Sequence, residues 1–409
     1  MSHYLDSVPF SGIIRIRDLM YAVERPFRLD QGDVSFDAPD SVKAAMAKAI
    51  ADNRSHYLQT AGVPRLQELL AEKLRRKNGI AVGSPDEVLV TNGGIHALYI
   101  LFQALLDPGD EVIIPDPQWP PTSGTILSAR GTIVRCPLHE QMGWRLDVDE
   151  LAEQVTPRTR VIYLNSPHNP TGGVLTREDL EAIAALADKH GLWIVSDEAY
   201  EDVVFDVEHV SVASIAGIYS RTVPVYTFSK SYAMTGLRLG YMAIADAALR
   251  DRVRKVLFFT TSNVSSVVQY GGIGALEGSQ DVVEQYRVEL QARRDLFYAG
   301  VETLGGFLSG RPPSGAFYAF LQFDPDWKAR RATPSSTRTA SGHVSATTLE
   351  NGEVSPSWEL TEYLISAGRI GCIPGADFGP LGEGYLRFCF ARERSELEGA
   401  LASLRALFR

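Results

Sequence analysis

The sequence predicts an α/β protein with a doubly wound, mostly parallel sheet and a smaller α+β domain. From about residue 85 onward, short apolar β-rich runs alternate with amphipathic helical segments. The runs, such as EVIIP and LWIVS, are almost continuously apolar, which is typical of strands covered by helices on both faces. Strands that alternate with helices of this length form βαβ units and hence a parallel sheet.

The elements of the large sheet follow in order. DEVLVT predicts a strand that enters a glycine turn and the helix IHALYILFQALL. EVIIP lies between the turn segments DPGD and PDPQWPP, and TIVRCP, RVIYLN, LWIVS, VPVYTFS and LGYMAIA continue the series. TREDLEAIAALADKHG predicts a helix, because Thr176 and Asp179 have capping-box spacing and Gly191 follows its last turn.

The end of the chain has a different pattern. A long helix over about 281–304 precedes the strand GAFYAFLQF, the helix WELTEYLISAG, the strand YLRFCFA and a final helix. We therefore predict an N-terminal segment (1–45) that packs with the small domain, a large domain (46–290) and a small C-terminal domain (291–409).

A Ser/Thr-rich insertion over about 328–357 interrupts the small domain. Its lack of large apolar residues predicts a mobile surface loop. The alternative is an active-site lid that carries Arg330, Arg331 or His343.

Composition excludes several functional classes. The formal net charge of −10 disfavours a nucleic-acid-binding surface, which should be basic. Cys136, Cys372 and Cys389 are scattered without a CxxC pair, so neither a disulfide framework nor a zinc site is predicted. No apolar run approaches the roughly 20 residues that span a bilayer, and the N-terminus does not resemble a signal peptide. We expect a cytoplasmic protein without metal or membrane partners.

Polar residues interrupt the apolar pattern at the ends of four predicted strands. TNGG follows the first strand, NSPHNPTG follows RVIYLN, DEAY follows LWIVS, and SK follows VPVYTF. Ligands of open α/β sheets bind at the carboxyl ends of the strands. The four interruptions therefore predict one shared crevice.

Lys230 is the candidate covalent catalyst of this crevice. An amine at a strand end can form a Schiff base with an aldehyde cofactor such as pyridoxal phosphate. That cofactor needs an acidic partner that keeps its pyridinium nitrogen protonated, and Asp197 lies at the end of an apolar strand. Isolated lysines are mostly surface residues and isolated strand-end aspartates often cap helices, so the prediction depends on both being present.

The same crevice offers groups for a phosphate. Gly93, Gly94 and Ile95 lie where a strand meets a helix N-terminus, which is a natural anion site. Ser229 and Arg238, in the segment SKSYAMTGLRLG, can add a hydroxyl and a guanidinium on either side of Lys230.

These motifs together resemble the class I/II aminotransferase family of fold type I pyridoxal-phosphate enzymes, in its aspartate-aminotransferase-like branch. The resemblance rests on NSPHNPTG, SDEAY, SKSYAMTGLRLG and YLRFCFA, in family order, and it spans the chain from about residue 25 to its end.

The resemblance implies a role for each matching residue. Lys230 would hold the cofactor as an internal aldimine and move the proton, and Asp197 would pair with the pyridinium nitrogen. Tyr200 and Asn169 would bind the 3′ oxygen, and Trp119 would stack on the ring. The phosphate would be bound by Gly94, Ile95, Ser229 and Arg238.

The substrate and partner assignments also come from the resemblance. Arg387 would bind the α-carboxylate bidentately, supported by Asn169 and Gly32. Tyr57 matches a tyrosine that reaches the cofactor phosphate of the neighbouring subunit, which implies a homodimer with shared active sites. Ile95 stands where some bacterial aspartate enzymes of this branch have a lysine for the distal carboxylate, which argues against an acidic substrate.

Three functions are consistent with the sequence. The first is an aminotransferase that exchanges an α-amino group between an amino acid and a 2-oxo acid. The second is another pyridoxal-phosphate reaction on the same scaffold, by a lyase, a cyclase or an oxygen-using amino acid oxidase. The third is a non-catalytic cofactor-binding module, disfavoured because Lys230 and Arg387 are both present. For the substrate side chain, Ile14, Ile16, Arg17 and Tyr21 are candidates.

Overall fold

The computed structural model describes residue 8, residues 10–331 and residues 354–408. Most of the Ser/Thr-rich insertion, including His343, lies outside these ranges, so the choice between a surface loop and a lid stays a prediction. Arg330 lies within them and pairs with Asp324 (2.9 Å) and with the carbonyl of Gly305 (2.6 Å).

The large sheet has eight strands in the order β1-β8-β7-β6-β5-β2-β3-β4. Its strands are β1 (Val88–Thr91), β2 (Glu111–Asp116), β3 (Thr132–His139), β4 (Arg145–Leu146), β5 (Thr159–Asn165), β6 (Trp193–Asp197), β7 (Thr222–Thr227) and β8 (Gly240–Ala243). The five strands β7, β6, β5, β2 and β3 are mutually parallel, which confirms the predicted fold class. β8 is antiparallel to both β1 and β7.

Helices cover both faces of this sheet. They include α2 (Asp40–Ala51), α3 (Pro64–Arg76), α4 (Gly94–Leu105), α5 (Pro120–Ser128), α6 (Val148–Glu153), α7 (Arg177–His190), α8 (Phe228–Ser231), α9 (Ala247–Thr261) and α10 (Ser266–Glu277). The predicted capping box of α7 is present, with Thr176 and Asp179 bonding each other's backbone N–H groups. Gly191 ends α7 at a φ of 65°, a conformation that favours glycine.

A second, antiparallel sheet forms in the C-terminal part of the chain. It consists of β9 (Leu308–Ser309), β10 (Tyr318–Phe323), β11 (Ile373–Pro374) and β12 (Tyr385–Cys389), in the order β11-β12-β10-β9. The helices α11 (Asp281–Glu302), α12 (Pro356–Gly368) and α13 (Arg394–Leu407) accompany it. The bounds agree with the elements predicted from GAFYAFLQF, WELTEYLISAG and YLRFCFA.

The N-terminal helix α1 (Gly12–Tyr21) packs against this second sheet and α12. Its buried residues Ile16 and Met20 share a cluster with Phe320 and Trp358. The N–H group of Gly12 also donates to Asp377 (2.7 Å). An N-terminal segment thus contributes to the small α+β unit, while the predicted domain limits near residues 45 and 290 stay predictions.

The described residues also bear on the excluded classes. None of their helices combines the length and the apolarity that a bilayer crossing requires. The three cysteines are buried and unpaired. Over the same residues, no group of His, Cys, Asp and Glu side chains is arranged to bind a metal ion.

Candidate active site

A cavity of about 290 Å³ opens at the carboxyl edge of the large sheet. It is lined by Ile13, Gly32, Gly94, Ile95, Trp119, Asn165, Asn169, Asp197, Ala199, Tyr200, Thr227, Ser229, Lys230, Arg238, Tyr318 and Arg387. These residues come together because β1, β5, β6 and β7 all end at this edge of the sheet. Asn165 and Asp197, the last residues of β5 and β6, are direct neighbours in the ladder.

Lys230 extends from the short helix α8, directly after β7. Its Nζ donates to the carbonyl of Gly32 (2.6 Å) and lies near the rings of Tyr200 and Phe317. Burial lowers the pKa of Lys230 to about 8, although Asp33 acts in the opposite direction. The amine therefore loses its proton more readily than an exposed lysine, and the neutral amine is the nucleophilic form.

Asp197 is buried at the end of β6. Its Oδ2 accepts a hydrogen bond from the hydroxyl of Tyr163 (3.1 Å) and its Oδ1 accepts one from the N–H of Ala199 (3.2 Å). Burial raises the pKa of Asp197 to about 6, and these two donors oppose that shift. The carboxylate has neutral donors but no ion pair among the described residues, so a cationic ligand group would stabilise it.

The polar end of the cavity has backbone and cationic groups together. Gly93 precedes α4 with a φ of 81°, and a Cβ atom there would lie 2.6 Å from Nη2 of Arg238. Arg238 itself has a φ of 57°, and its Nη1 donates to the carbonyl of Thr235 (2.8 Å). Glycine is therefore required where the first turn of α4 meets this guanidinium.

Ser229 stands beside that group. Thr227 donates its hydroxyl to Oγ of Ser229 (2.8 Å), and Ser229 lines the cavity with Gly94 and Ile95. The free N–H groups at the start of a helix, a hydroxyl and a guanidinium together form an environment suited to an anion.

Arg387, in the centre of β12, is almost completely buried. Its Nη1 donates to Oδ1 of Asn169 (3.1 Å) and its Nη2 to the carbonyl of Asp30 (2.8 Å). Its Nε is buried without a hydrogen-bond partner, and no carboxylate of the described residues pairs with the guanidinium. A buried cation with an open donor is a ready site for a carboxylate ligand.

Tyr318 is a cavity residue that the sequence reasoning missed. Its hydroxyl lies 2.8 Å from the hydroxyl of Tyr200, and Arg387 lies over its ring at 4.4 Å. Tyr318 begins β10 of the second sheet, so only the packing of the two sheets brings it to the crevice. No local motif marks it.

The structure places most, but not all, of the predicted residues around the cavity. Gly93 lies just behind the lining residues, and Tyr57 lies away from the cavity with its side chain 90% exposed. In α1, Ile13 lines the cavity, whereas the expected candidate Ile16 is fully buried against α12. Asn165, within NSPHNPTG, was also missed, although that motif points to the right strand end.

Comparison with known proteins agrees with this geometry. Residues 24–404 match the family model "Aminotransferase class I and II". The chain is 34% identical to aromatic-amino-acid aminotransferase 2 of Thermococcus litoralis over 98% of this chain and 96% of that protein. It is also 34% identical to the aspartate aminotransferase of Pyrococcus abyssi over 100% of this chain and 98% of that protein.

Solved structures show the same relationship. The aspartate aminotransferase of Thermus thermophilus with maleate superposes with a TM-score of 0.87, at 33% identity, covering 100% of this chain and 99% of that one. The aromatic aminotransferase of Pyrococcus horikoshii superposes with a TM-score of 0.83, at 33% identity, covering 95% and 97%. From its sequence, its two sheets and the crevice between them, the chain belongs to the class I and II aminotransferase family of pyridoxal-phosphate-dependent enzymes.

Proposed function

We propose that Lys230 is the covalent and proton-transferring residue of this aminotransferase, acting in the cavity between Asp197 and Arg387. The observation that carries the proposal is the position of a partly buried amine, with a lowered pKa, in one cavity with a buried carboxylate and a buried guanidinium. When bound, pyridoxal phosphate supplies an electron-withdrawing ring that stabilises negative charge on the α-carbon of the amino donor.

The residues present fit that cofactor. Asp197 forms no ion pair with any described residue and would favour the protonated ring nitrogen. Tyr200 and Asn169 line the same wall and would donate to the oxygen next to the reactive carbon. Trp119, at the start of α5, would pack on the ring face.

The phosphate has a separate set of donors. We assign it to the N–H groups of Gly94 and Ile95, the hydroxyl of Ser229 and the guanidinium of Arg238. Gly93 contributes by its lack of a side chain, because a Cβ atom would collide with Arg238.

Arg387 is the proposed site for the α-carboxylate that every amino acid and 2-oxo acid substrate carries. Its unpartnered Nε supports this assignment, and Asn169 and Gly32 border the same space. Because Lys230 donates to the carbonyl of Gly32, the amine and the carboxylate site are adjacent. A substrate bound at Arg387 would present its α-carbon to Lys230.

For the substrate side chain, we propose a neutral group. Ile13 of α1 and Ile95 of α4 border the cavity, and its only cationic lining residues are Lys230, Arg238 and Arg387, of the part of the chain described. A distal carboxylate would have no cation of its own. Aromatic and aliphatic donors should therefore react faster than aspartate or glutamate, which a screen of single half-reactions measures directly.

We also propose a homodimer with shared active sites in the cytoplasm. Tyr57 is 90% exposed, and Phe258 and Phe259 expose 53% and 79% of their surfaces on α9. Such exposed aromatic groups favour a protein interface. Mixing Tyr57→Ala and Lys230→Ala subunits should restore activity that neither has alone, because a hybrid dimer has one site with both residues. Absence of recovery in a mixed dimer would contradict sharing.

The central experiment is the half-reaction of the purified enzyme. The bound cofactor should absorb visible light, and an amino donor without an oxo acid should shift that absorbance once per subunit. Lys230→Ala should lose the donor-dependent shift. Lys73→Ala is the control, because Lys73 is a partly buried lysine that binds Glu201 outside the cavity.

The alternatives predict other results. Release of ammonia without an oxo acid, or consumption of oxygen, would assign another reaction of the same cofactor. Full biological activity of Lys230→Ala would favour a non-catalytic module. Either result would overturn the proposed role of Lys230 in transamination.

A further inference from the structure

A line of buried polar groups that do not line the cavity leads away from Asp197. Tyr163 and Asp197 are on adjacent strands and on the same face of the sheet, because Asn165, two residues after Tyr163, is the ladder partner of Asp197. The Tyr163 hydroxyl, 3.1 Å from Asp197 Oδ2, is followed outward by Thr122 (3.2 Å) and Gln118 (3.5 Å). All four side chains are buried.

His168 ends this line and sets its polarity. Burial lowers the pKa of His168 to about 3, so the imidazole is neutral and has one N–H group. Its Nε2 lies 3.2 Å from Oε1 of Gln118, an acceptor, so Nε2 carries the hydrogen. Its Nδ1 then accepts from the hydroxyl of Thr171 (2.8 Å).

The hydrogen bond from His168 fixes the orientation of the Gln118 amide, and this sets the direction of the next hydrogen bonds. With its Oε1 facing His168, Gln118 directs its Nε2–H group toward Thr122 (3.4 Å) and the Tyr163 oxygen. Thr122 donates its own hydroxyl to the Tyr163 oxygen. The oxygen of Tyr163 is thus an acceptor on its outer side, and its hydrogen is left for Asp197.

The hydroxyl of Tyr163 stays protonated over the whole pH range in which the enzyme works. Burial and the neighbouring Asp197 raise the pKa of Tyr163 well above its ordinary value. The other titratable groups that face Asp197 are Glu198, Tyr200 and Lys230. Among these and Tyr163, only the Tyr163 hydroxyl bonds the Asp197 carboxylate directly.

We propose that Tyr163 is a positioning residue that holds Asp197 ionised and oriented toward the cofactor ring nitrogen, and that Thr122, Gln118 and His168 fix the direction in which Tyr163 donates. An ionised carboxylate oxygen accepts a hydrogen bond more strongly than a protonated one, so a hydroxyl that can only donate to Asp197 favours its ionised form. The inference rests on the role proposed above for Asp197, and adds the device that maintains it.

The test compares two buried tyrosines that each donate to a buried carboxylate. Tyr163→Phe removes the hydroxyl that bonds Asp197, and Tyr226→Phe removes one that bonds Glu198 (2.7 Å), which does not line the cavity. In the holoenzyme, Tyr163→Phe should lower kcat about tenfold and move the acid limb of the kcat/KM profile upward by about one pH unit.

A spectroscopic measurement separates positioning from packing. A less ionised Asp197 leaves less positive charge on the ring, so the proton affinity of the Lys230 nitrogen rises. The pH midpoint of the bound cofactor's visible absorbance should therefore increase in Tyr163→Phe, by on the order of half a unit. Tyr226→Phe should leave this midpoint and the acid limb at the wild-type values.

A second pair of variants tests the outer part of the relay. Thr122→Val should shift both pH readouts in the same direction as Tyr163→Phe but by less, and Thr122→Ser, which keeps the hydroxyl, should restore them. This pair also decides the matter if Tyr163→Phe does not fold. If neither readout moves in Thr122→Val, the proposed direction of the relay is wrong.

The outcomes also separate this inference from the proposed function. If wild-type enzyme gives no donor-dependent absorbance change, the proposed function itself fails. If the wild type reacts normally, but Tyr163→Phe and Tyr226→Phe have the same pH profile and the same absorbance midpoint, only the positioning role of Tyr163 is overturned.

Discussion

Asp197 and Glu201 are buried carboxylates four residues apart, and their surroundings differ in kind. Asp197 accepts hydrogen bonds from one hydroxyl and one backbone N–H group, both neutral. Glu201 binds Lys73, lies 3.9 Å from Lys77 and accepts from Asn78 (2.8 Å). Burial opposes the charge on both. Among the described residues, Glu201 is in direct contact with cations, whereas Lys230 lowers the pKa of Asp197 by its charge without bonding to it.

The two pKa values express this difference. Burial raises the pKa of Asp197 to about 6. At Glu201 the effect of burial is outweighed by Lys73, Lys77 and Asn78, and the pKa falls to about 2. A charge that the fold neutralises internally is structural, whereas one left with neutral donors only is prepared for a ligand. Arg387, whose buried Nε has no hydrogen-bond partner among the described residues, is likewise a charge prepared for a ligand.

Among the residues prepared for a ligand, we expect Arg387→Lys to have the largest effect on activity. A lysine cannot reproduce the two-pronged geometry of a guanidinium, and it would leave Asn169 and the Asp30 carbonyl without their donors. We expect kcat/KM to fall roughly a thousandfold for every amino donor, equivalent to about 4 kcal/mol. Steady-state kinetics with several donors measures this.

The matched control lies outside the cavity. Arg293 is a buried arginine that bonds Glu289, Ser35 and the Ala391 carbonyl. Arg293→Lys should lower the free energy of unfolding with little effect on kcat/KM. Equal kinetic losses in both variants would show that Arg387 has no special relation to substrate.

Glu201→Gln tests the structural side of the comparison. The substitution leaves Lys73 and Lys77 without their buried partner, so we expect the free energy of unfolding to fall by about 3 kcal/mol. Denaturant titration measures this loss. The kcat of the folded variant should stay within about threefold of wild type, since Glu201 does not line the cavity. A large loss of kcat with unchanged stability would reverse the assignment.

The sequence pattern predicted the residues available to a ligand better than it predicted the buried ion pairs of the fold. Lys230, Asp197 and Asn169 follow strand ends, where a polar residue interrupts an apolar run, so the pattern alone marks them. Arg387 lies within a strand rather than at its end, and it was assigned only through the motif YLRFCFA. A charged residue inside an apolar strand is the available signal.

The residues that were missed depend on contacts between distant parts of the chain. Tyr318 comes to the cavity from the second sheet, and Ile13 comes from the N-terminal helix. Tyr163 reads as one more apolar strand residue in RVIYLN, and only the register of β5 on β6 shows that it faces Asp197. The pairing of Lys73 with Glu201 joins residues 128 positions apart, and no local pattern encodes it.

The pH dependence of the apoprotein gives the smallest expected effect and tests Asp197 alone. Its folded pKa of about 6 lies above the ordinary value of 3.8, so below pH 6 the folded state binds a proton that the unfolded state does not yet bind. Asp197 therefore adds stability as the pH falls from 6 toward 3.8, by roughly 1.5 kcal/mol between pH 6 and pH 4.5. Glu201, with a lowered pKa, has the opposite sign, and its contribution is lost as the pH falls from 4.5 through about 2.

The difference between wild type and Asp197→Asn isolates the Asp197 contribution, because the variant has no carboxyl to titrate. Urea unfolding of both apoproteins at pH 6 and pH 4.5 should show wild type gaining relative to the variant. Adding pyridoxal phosphate should diminish that gain, since a positive ring nitrogen beside Asp197 would stabilise the carboxylate and lower its pKa toward that of a paired acid. If the gain is the same with and without cofactor, Asp197 does not contact the cofactor ring. Its role would then be structural, as that of Glu201 is.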